Sequence, residues 1–580
     1  MNRIGSSIKW HIWLLSFGIF LIVPLVFSQT ASFDFINFDD DIYVVNNPHV
    51  NTGLSWANIQ WAFSTTHGGH WHPVTWLSHM VDCEIFGLNP GAHHLENVLL
   101  HAISSVLVFL LFLRCTNQLS LSFVLASIFA VHPLRLESVA WVSERKDVLS
   151  ILFGLLSLHL YLSFVSEREL LFRRGYYIGS FLLLAVGLLS KPSLIVIPVL
   201  MVLLDFWPTA RLKEKQKLVI DKLPFFLLAL GFACIVLFAQ EQEGGLKQLS
   251  LYPLESRIAA ALVGFLAYAG KLFFPTGMGI FYPFLDYPPG VASGAAFGLI
   301  IVTIVCVQHR SNHPYLLFGW LWFLVSAAPI IGLVQVGGQA FADRWSYLPH
   351  IGFLLGIGSY LESVTRQYNL LLLRKMFFLL PLLYGAITVS QLPNWKNTEA
   401  VFRHAIQLTP DNFLAHMNLA VELDNGGSAR EAEFHYQRAV TLRPQYVLAL
   451  DNLGSFYARQ GEYKKAISYF ERALAIAPGS VDARYHLGLA YAKSGSVVYA
   501  ATEWVRVLSF EPENERANSS LQELALSAFA APCEALAPIG LNRRSLVELR
   551  TVLEAWKWKK EQEQVFRTLF LAAECFLRRD

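Results

Sequence analysis

Three consecutive carboxylates, Asp39, Asp40 and Asp41, stand in the stretch Phe33–Val50, FDFINFDDDIYVVNNPHV. No Lys or Arg occurs from Ser28 through Glu96, so no cation close in sequence neutralises them. Clustered carboxylates at the edge of an apolar phase need water, a metal, a cation or a substrate beside them. They can take a proton from a hydroxyl or hold a divalent cation, and the residue types leave both roles open for Asp39 and Asp40. Three further motifs hold polar groups among apolar runs: His132-Pro133-Leu134-Arg135-Leu136-Glu137 continuing to Glu144-Arg145-Lys146-Asp147, then Lys191-Pro192, then Ala342–Pro349 with Asp343 and Arg344. Arg offers a planar fork and Lys a point charge, so Arg135, Arg145, Lys146, Lys191 and Arg344 suit a phosphate. Ordinary ion pairing with Glu137, Glu144, Asp147 and Asp343 is the alternative. His67, His70, His72, His93 and His94 are irregularly spaced in an aromatic setting, which points to interfacial hydrogen bonding and assigns no metal. Neither a phosphate-cradling GxxxxGK[ST] nor a GxSxG elbow is present, which leaves nucleotide hydrolysis and serine hydrolase chemistry unsupported.

The elements that position these groups are membrane helices. Of 580 residues, 54% are apolar and only 15% charged, whereas soluble domains carry about a quarter charged residues. Trp10–Phe27, preceded by Arg3 and Lys9, reads as a first span. Apolar runs follow at Asn97–Leu113, Leu119–Val131, Val148–Phe164, Tyr176–Ser190, Leu194–Phe206, Pro224–Ala239, Ile258–Phe274, Ala295–Val307, Tyr315–Val334, Ile351–Leu361 and Phe377–Ser390. The basic loops 166–175, 209–222 and 363–375 belong in the cytoplasm by the positive-inside rule. Consistency then requires Ile258–Phe274 to stay on one face, which leaves eleven spans and puts loop 29–94 and everything after Gln391 outside. Trp56, Trp61, Phe63, Trp71 and Trp76 predict short interfacial helices roofing a cavity beside Asp39 and Asp40.

Beyond the last span, Pro410, Pro444, Pro478 and Pro512 recur every 34 residues, the tetratricopeptide period. Leu453, Gly454, Tyr457, Ala466, Phe470 and Ala473 fit the small-and-large pattern that packs paired helices. Such arrays stack into concave surfaces that bind peptide or protein. The expected organisation is all-α: a polytopic membrane domain over 1–391, repeats over 392–515 and a helical cap over 516–580 containing the amphipathic stretch Leu546–Phe570. The six Cys show no CxxC spacing, and Cys533 and Cys575 can pair in an oxidising compartment.

The motifs FDDDIYVVNNPHV, HWHPVTWLSHM, HPLRLESVAWVSERKDVLS, LLSKP and ADRWSYLPHIGF, followed by the repeats, closely resemble the transmembrane and tetratricopeptide-repeat O-mannosyltransferases and their bacterial relatives. The resemblance implies a GT-C-like membrane bundle that takes a sugar, mannose-like, from a polyprenyl- or dolichyl-phosphate carrier. It would pass the sugar to a hydroxyl of a protein or glycan on the extracytoplasmic side, here of a bacterial inner membrane. It makes Asp39 and Asp40 the catalytic pair and places Glu137, Arg145, Asp147, Lys191 and Arg344 on the family's other polar motifs. Arg145, Lys191 and Arg344 are then the cations for the donor phosphate, with Glu137, Asp147, Asp343 and His72 in support. His72 stands where animal members tend to carry Arg. No metal ligand is assigned, although a divalent metal on the acidic pair is compatible with the motifs. The competing reading is a non-catalytic scaffold that recruits partners through its repeats. That reading gives paired Asp residues no task. A transporter would place its acids at the midplane of broken helices and not in a long loop.

Overall fold

The computed structural model describes residues 6–211, 215–242, 252–333 and 339–524, with Val547. Two compact units divide the chain, Met1–Pro410 and Asp411–Asp580. Among the described residues the fold is helical throughout, save one antiparallel pairing of Tyr282–Pro283 with Gln339–Phe341.

The first unit begins with α1 (Ser6–Val26). Loop 29–94 then folds into α2 (Pro48–Asn51), α3 (Trp56–Ser64) and α4 (Pro73–Phe86). Side chains of Asn47 and Ser55 accept from the first-turn amides of α2 and α3, which is why these short helices start where they do. Tyr43, Val50, Trp76 and Met80 form a small core here with Val142, so much of the expected aromatic roof is interior packing, while Trp56 stays exposed. There follow α5 (Pro90–Thr116), α6 (Leu119–Val131), α7 (Leu136–Ala140), α8 (Arg145–Ser166), α9 (Leu170–Ser190), α10 (Ile197–Phe206) and α11 (Lys215–Gln242). The unit closes with α12 (Leu254–Lys271), α13 (Pro289–Gln308), α14 (Pro314–Ala327), α15 (Tyr347–Gln367), α16 (Leu371–Gln391) and α17 (Thr398–Leu408).

Among the described residues, six stretches are long and apolar enough to cross a membrane: Lys9–Val26, Pro90–Thr116, Val142–Ser166, Val219–Glu241, Pro289–Gln308 and Leu371–Trp395. A seventh arises if Leu119–Val131 and Pro133–Ala140, bent by 54°, count as one. The sequence predicts eleven spans; two of the others, Tyr176–Ser190 and Ile351–Leu361, lie in unbroken 21-residue helices, and part of the remaining difference originates at proline. Proline has no N–H to give to a preceding turn, so Pro133 and Pro192 each end one helix and open a 3-10 turn. That divides apolar sequence into pieces such as Pro192–Phe206, and Pro314–Ala327 is itself short. Helices α14 and α15 approach closely through glycines: a Cβ on Gly319 would lie 2.6 Å from the Gly352 carbonyl oxygen and 2.8 Å from Gly356 Cα.

The second unit stacks α18 (Phe413–Asn425), α19 (Ala429–Leu442), α20 (Val447–Arg459), α21 (Tyr463–Ile476), α22 (Val481–Lys493), α23 (Val497–Phe510) and α24 (Glu515–Leu524). Gly427, Gly461 and Gly495 sit at φ 79°, 79° and 83° between the two helices of each pair. There the amides of Ser428, Glu462 and Ser496 reach back to the carbonyls of Leu423, Tyr457 and Tyr491 at 2.8–2.9 Å, closing a left-handed helix cap. Gly454 lets Phe470 press onto α20, where a Cβ would come within 2.7 Å of the ring. Helix α17, expected to open the repeats, belongs to the first unit: Thr398 Oγ1 accepts from the Asn37 amide at 2.9 Å and Phe402 meets Phe38 edge-on. Cys533, Cys575 and Leu546–Phe570, Val547 aside, lie outside the described residues.

Candidate active site

Each polar motif falls at a break in helical structure, where backbone and side chains leave the regular ladder. Helix α6 stops at Val131, Pro133–Arg135 turns, and α7 brings Glu137 inward. A second turn over Val142–Glu144 precedes α8. Helix α9 ends at Ser190, and Lys191 is extended before Pro192. The Gln339–Phe341 strand delivers Asp343 and Arg344 into a 3-10 turn ahead of α15.

These breaks converge on a ladder of alternating charge. Lys146 Nζ lies 3.8 Å from Asp39 and 3.1 Å from Glu144. Glu144 also receives Lys191 at 3.5 Å and Arg344 Nε at 3.1 Å. Lys191 pairs closely with Asp147, and Arg344 with Glu137, whose second oxygen accepts the Arg344 amide at 2.8 Å. Lys271 holds Asp343 at 2.6 Å, with the Tyr282 hydroxyl on the other oxygen at 2.5 Å. Trp141 lies beneath both Arg344 and Lys146, at 5.4 and 5.9 Å. The ion-paired alternative therefore describes Lys191 and Arg344 in this structure, and their pairing assembles three separate motifs in one place.

The acidic pair is divided. Asp40 is wholly buried; its Oδ2 accepts the Ile36 amide and its Oδ1 accepts both the amide and the hydroxyl of Ser143. It ties the acidic loop to the turn before α8. Burial pushes its carboxyl up to about 7 against the pull of those hydrogen bonds. Asp39 points the other way. Its side chain is 34% exposed, against 1–10% for Glu137, Glu144, Asp147 and Asp343. Partial burial raises its carboxyl above the ordinary range, and Lys146 opposes that rise. Asp39 is thus the most exposed carboxylate of the ladder, and Asp40 has three of its roughly four acceptor positions occupied.

Arg145 is likewise not where a donor phosphate would need it. It is fully buried, with Nε on Asn97 at 2.6 Å, Nη2 on the His93 carbonyl at 2.7 Å, and Nη1 on Asp82 and Ser78. Adjacent residues on a helix diverge by about 100°, so Arg145 faces inward while Lys146 faces the ladder. His72 is buried between Tyr43 and Trp76, at ring distances of 5.3 and 4.8 Å, and burial holds it neutral with Nε2 unpartnered. His79, Asp82 and His93 each bring a metal-capable atom within 4.8 Å of the others. Arg145 already neutralises Asp82 there, and a divalent cation beside a buried guanidinium would be strongly repelled. The sequence offers Lys146 only as one of five cations suited to a phosphate, and it gives Lys271 and Ser143 no part in the site. Lys146 was visible in the motif, Lys271 in its apolar run, and nothing marked Ser143.

These features define a multi-pass membrane protein with a helix-break charge ladder and an appended helical-repeat unit. A tetratricopeptide repeat model matches residues 447–480. The human protein O-mannosyl-transferase TMTC1 is 25% identical over 493 residues, covering 71% of this chain and 53% of that protein. A protein O-mannosyl-transferase of Caenorhabditis elegans is 25% identical, covering 70% and 59%. Mouse TMTC2 is 32% identical over 203 residues, or 33% of this chain and 24% of that one. The chain is thus similar to proteins named protein O-mannosyl-transferases, and it spans about half the length of the first two.

Proposed function

We propose that the protein is a membrane glycosyltransferase moving a sugar from a lipid-phosphate carrier to a hydroxyl acceptor at the extracytoplasmic face. The observation that carries this reading is Asp39: a part-exposed carboxylate joined through Lys146 to a row of cations from three helix breaks. The relatives, named as protein O-mannosyl-transferases, support it.

In the proposed reaction the acceptor oxygen attacks the anomeric carbon as its proton passes to Asp39. The bond from the anomeric carbon to the phosphate oxygen breaks, and the carrier phosphate leaves with the electron pair. The transition state is oxocarbenium-like, and a phosphate leaving group needs positive charge more than a proton donor. Lys191 and Arg344 supply that charge, each giving up part of its contact with Glu144 as phosphate arrives. Glu137 and Asp147 hold the two cations at their outer ends. A base on the face opposite the phosphate implies inversion. No step calls on a metal. The sugar would be mannose-like, and the acceptor a protein or glycan brought by the repeats, which lie outside the cytoplasm in this reading.

The test is incubation of the purified full chain with polyprenyl-phosphate sugars, with mass spectrometry of candidate acceptors. Product with the parent and none with Asp39→Asn is the expected result. No product from any donor would put the scaffold reading ahead. Cysteine labelling at position 450 from outside only is expected, and labelling from the cytoplasm alone would overturn the sidedness.

A further inference from the structure

Helix α15 starts beside Arg344 and carries a second polar cluster at its far end. The helical rise from Tyr347 to Glu362 is roughly 22 Å, so this cluster lies well away from the charge ladder, toward the opposite membrane face. Here α15 and α16 enclose a cleft of about 360 Å³. Its walls are apolar, with Leu361, Phe377, Leu380 and Leu383 among them, and one end is polar, with Glu362, Thr365 and Arg374. Glu362 is buried and receives both Arg366 Nε at 2.6 Å and Arg374 Nη2 at 3.1 Å. One carboxylate thus faces two guanidinium groups. Arg374 Nε is buried without a hydrogen-bond acceptor, and Lys375 adds a further cation in the next position.

We infer that this cleft binds an anionic glycerophospholipid, with an acyl chain between α15 and α16 and the phosphodiester on Arg366 and Arg374. A single carboxylate meets both guanidinium groups, and the part-exposed side chains of Arg374, which lines the cleft, and Arg366, beside it, leave donors open to an anion. Phosphate oxygens match the guanidinium fork and supply the acceptor that Arg374 Nε lacks. Basic pockets between membrane helices, continuous with an apolar slot, recognise anionic headgroups in this way. A zwitterionic lipid presents the same phosphate but brings its own ammonium toward the two arginines. A polyprenyl phosphate shares the apolar tail and anionic head, but its chemistry belongs at Asp39, at the other end of α15. The choice of a glycerophospholipid over polyprenyl phosphate rests on the proposed reaction, whereas an anionic, lipid-like occupant does not.

Native mass spectrometry of the full chain in detergent tests it, with phosphatidylglycerol, phosphatidylcholine and polyprenyl phosphate offered singly and in competition. The expected result is a retained phosphatidylglycerol adduct favoured about tenfold or more over phosphatidylcholine, whose ammonium is set against the two arginines. Arg366→Gln with Arg374→Gln should abolish that preference. Leu380→Trp should displace the adduct by filling the slot while leaving the Glu362 pairs in place. Equal retention of the two glycerophospholipids, a preference for polyprenyl phosphate, or adducts unchanged in Leu380→Trp would overturn the inference. If the double variant does not fold, the parent competition and Leu380→Trp decide it.

Discussion

Exchanging each of two neighbouring aspartates for asparagine should produce two different failures. Asp39 has no backbone donor on its carboxylate and is the exposed acid of the ladder. Asn at that position preserves shape but cannot take the acceptor's proton. Losing a general base costs about 10²–10⁴ in rate, or about 3–5 kcal/mol of barrier, while folding stability should change by less than about 1 kcal/mol. Asp40 accepts three donors, from Ile36 N, Ser143 N and Ser143 Oγ. An amide presents NH₂ to one side, so either the Ile36 or the Ser143 amide faces a donor in place of an acceptor. An unsatisfied buried polar group costs about 1–3 kcal/mol, and two groups lose their partner, giving about 2–6 kcal/mol of stability. The assay pairs single-turnover transfer at saturating donor with thermal unfolding in the same detergent. Asp39→Asn should lose turnover with its melting curve intact, and Asp40→Asn should lose melting temperature first. The reverse pattern, inactive and fully stable Asp40→Asn beside active Asp39→Asn, would refute the division of the pair.

Because partial burial holds the Asp39 carboxyl above its ordinary range, and the base must be ionised to act, transfer at limiting donor should rise with pH through a limb higher than an ordinary carboxylate gives. Lys146→Met removes the opposing charge and should move that limb to still higher pH; an unmoved limb in a pH–rate profile would dissociate Lys146 from Asp39. Arg145→Gln strips the partner from buried Asp82 and should cost about 3–5 kcal/mol of stability, read by unfolding, with donor affinity in the surviving folded fraction unchanged. Lys191→Ala and Arg344→Ala should each weaken binding of lipid-phosphate sugar about tenfold or more in a direct binding assay, with acceptor binding less affected. Unchanged donor affinity in both would leave the two cations as structural ion pairs.

The repeats were legible because their constraint is periodic and local. Prolines every 34 residues mark them in the sequence, and the structure adds Gly427, Gly461 and Gly495 on the same interval, each where a left-handed turn closes a helix. The ladder was legible as a set of motifs for a different reason. Polar residues within apolar sequence are tolerated where helices break, and proline advertises those breaks at Pro133 and Pro192. The same prolines break the backbone beside the expected runs Leu119–Val131 and Leu194–Phe206, whereas Tyr176–Ser190 and Ile351–Leu361 lie in unbroken 21-residue helices.

What one dimension could not give was the direction of each side chain. Asp39 and Asp40 are neighbours in the chain, yet one faces the cations and the other is sealed by Ser143. Arg145 and Lys146 are neighbours too, and they separate in the same way, one turned to Asp82 and the other to Asp39. The two divisions are linked. Ser143 fixes the turn from which α8 starts, and Asp40 is the group that holds Ser143. The buried aspartate therefore sets the position of Lys146, and through it the surroundings of the exposed one. Asp40 can matter to transfer without touching a reactant, and Ser143→Ala provides the separation. It removes one hydroxyl donor and leaves the backbone amide on Asp40, so it should loosen the turn slightly and shift the acid limb of transfer without abolishing turnover. A limb identical to the parent's, with stability lowered, would show that the turn is structural and that Lys146 is placed by other contacts.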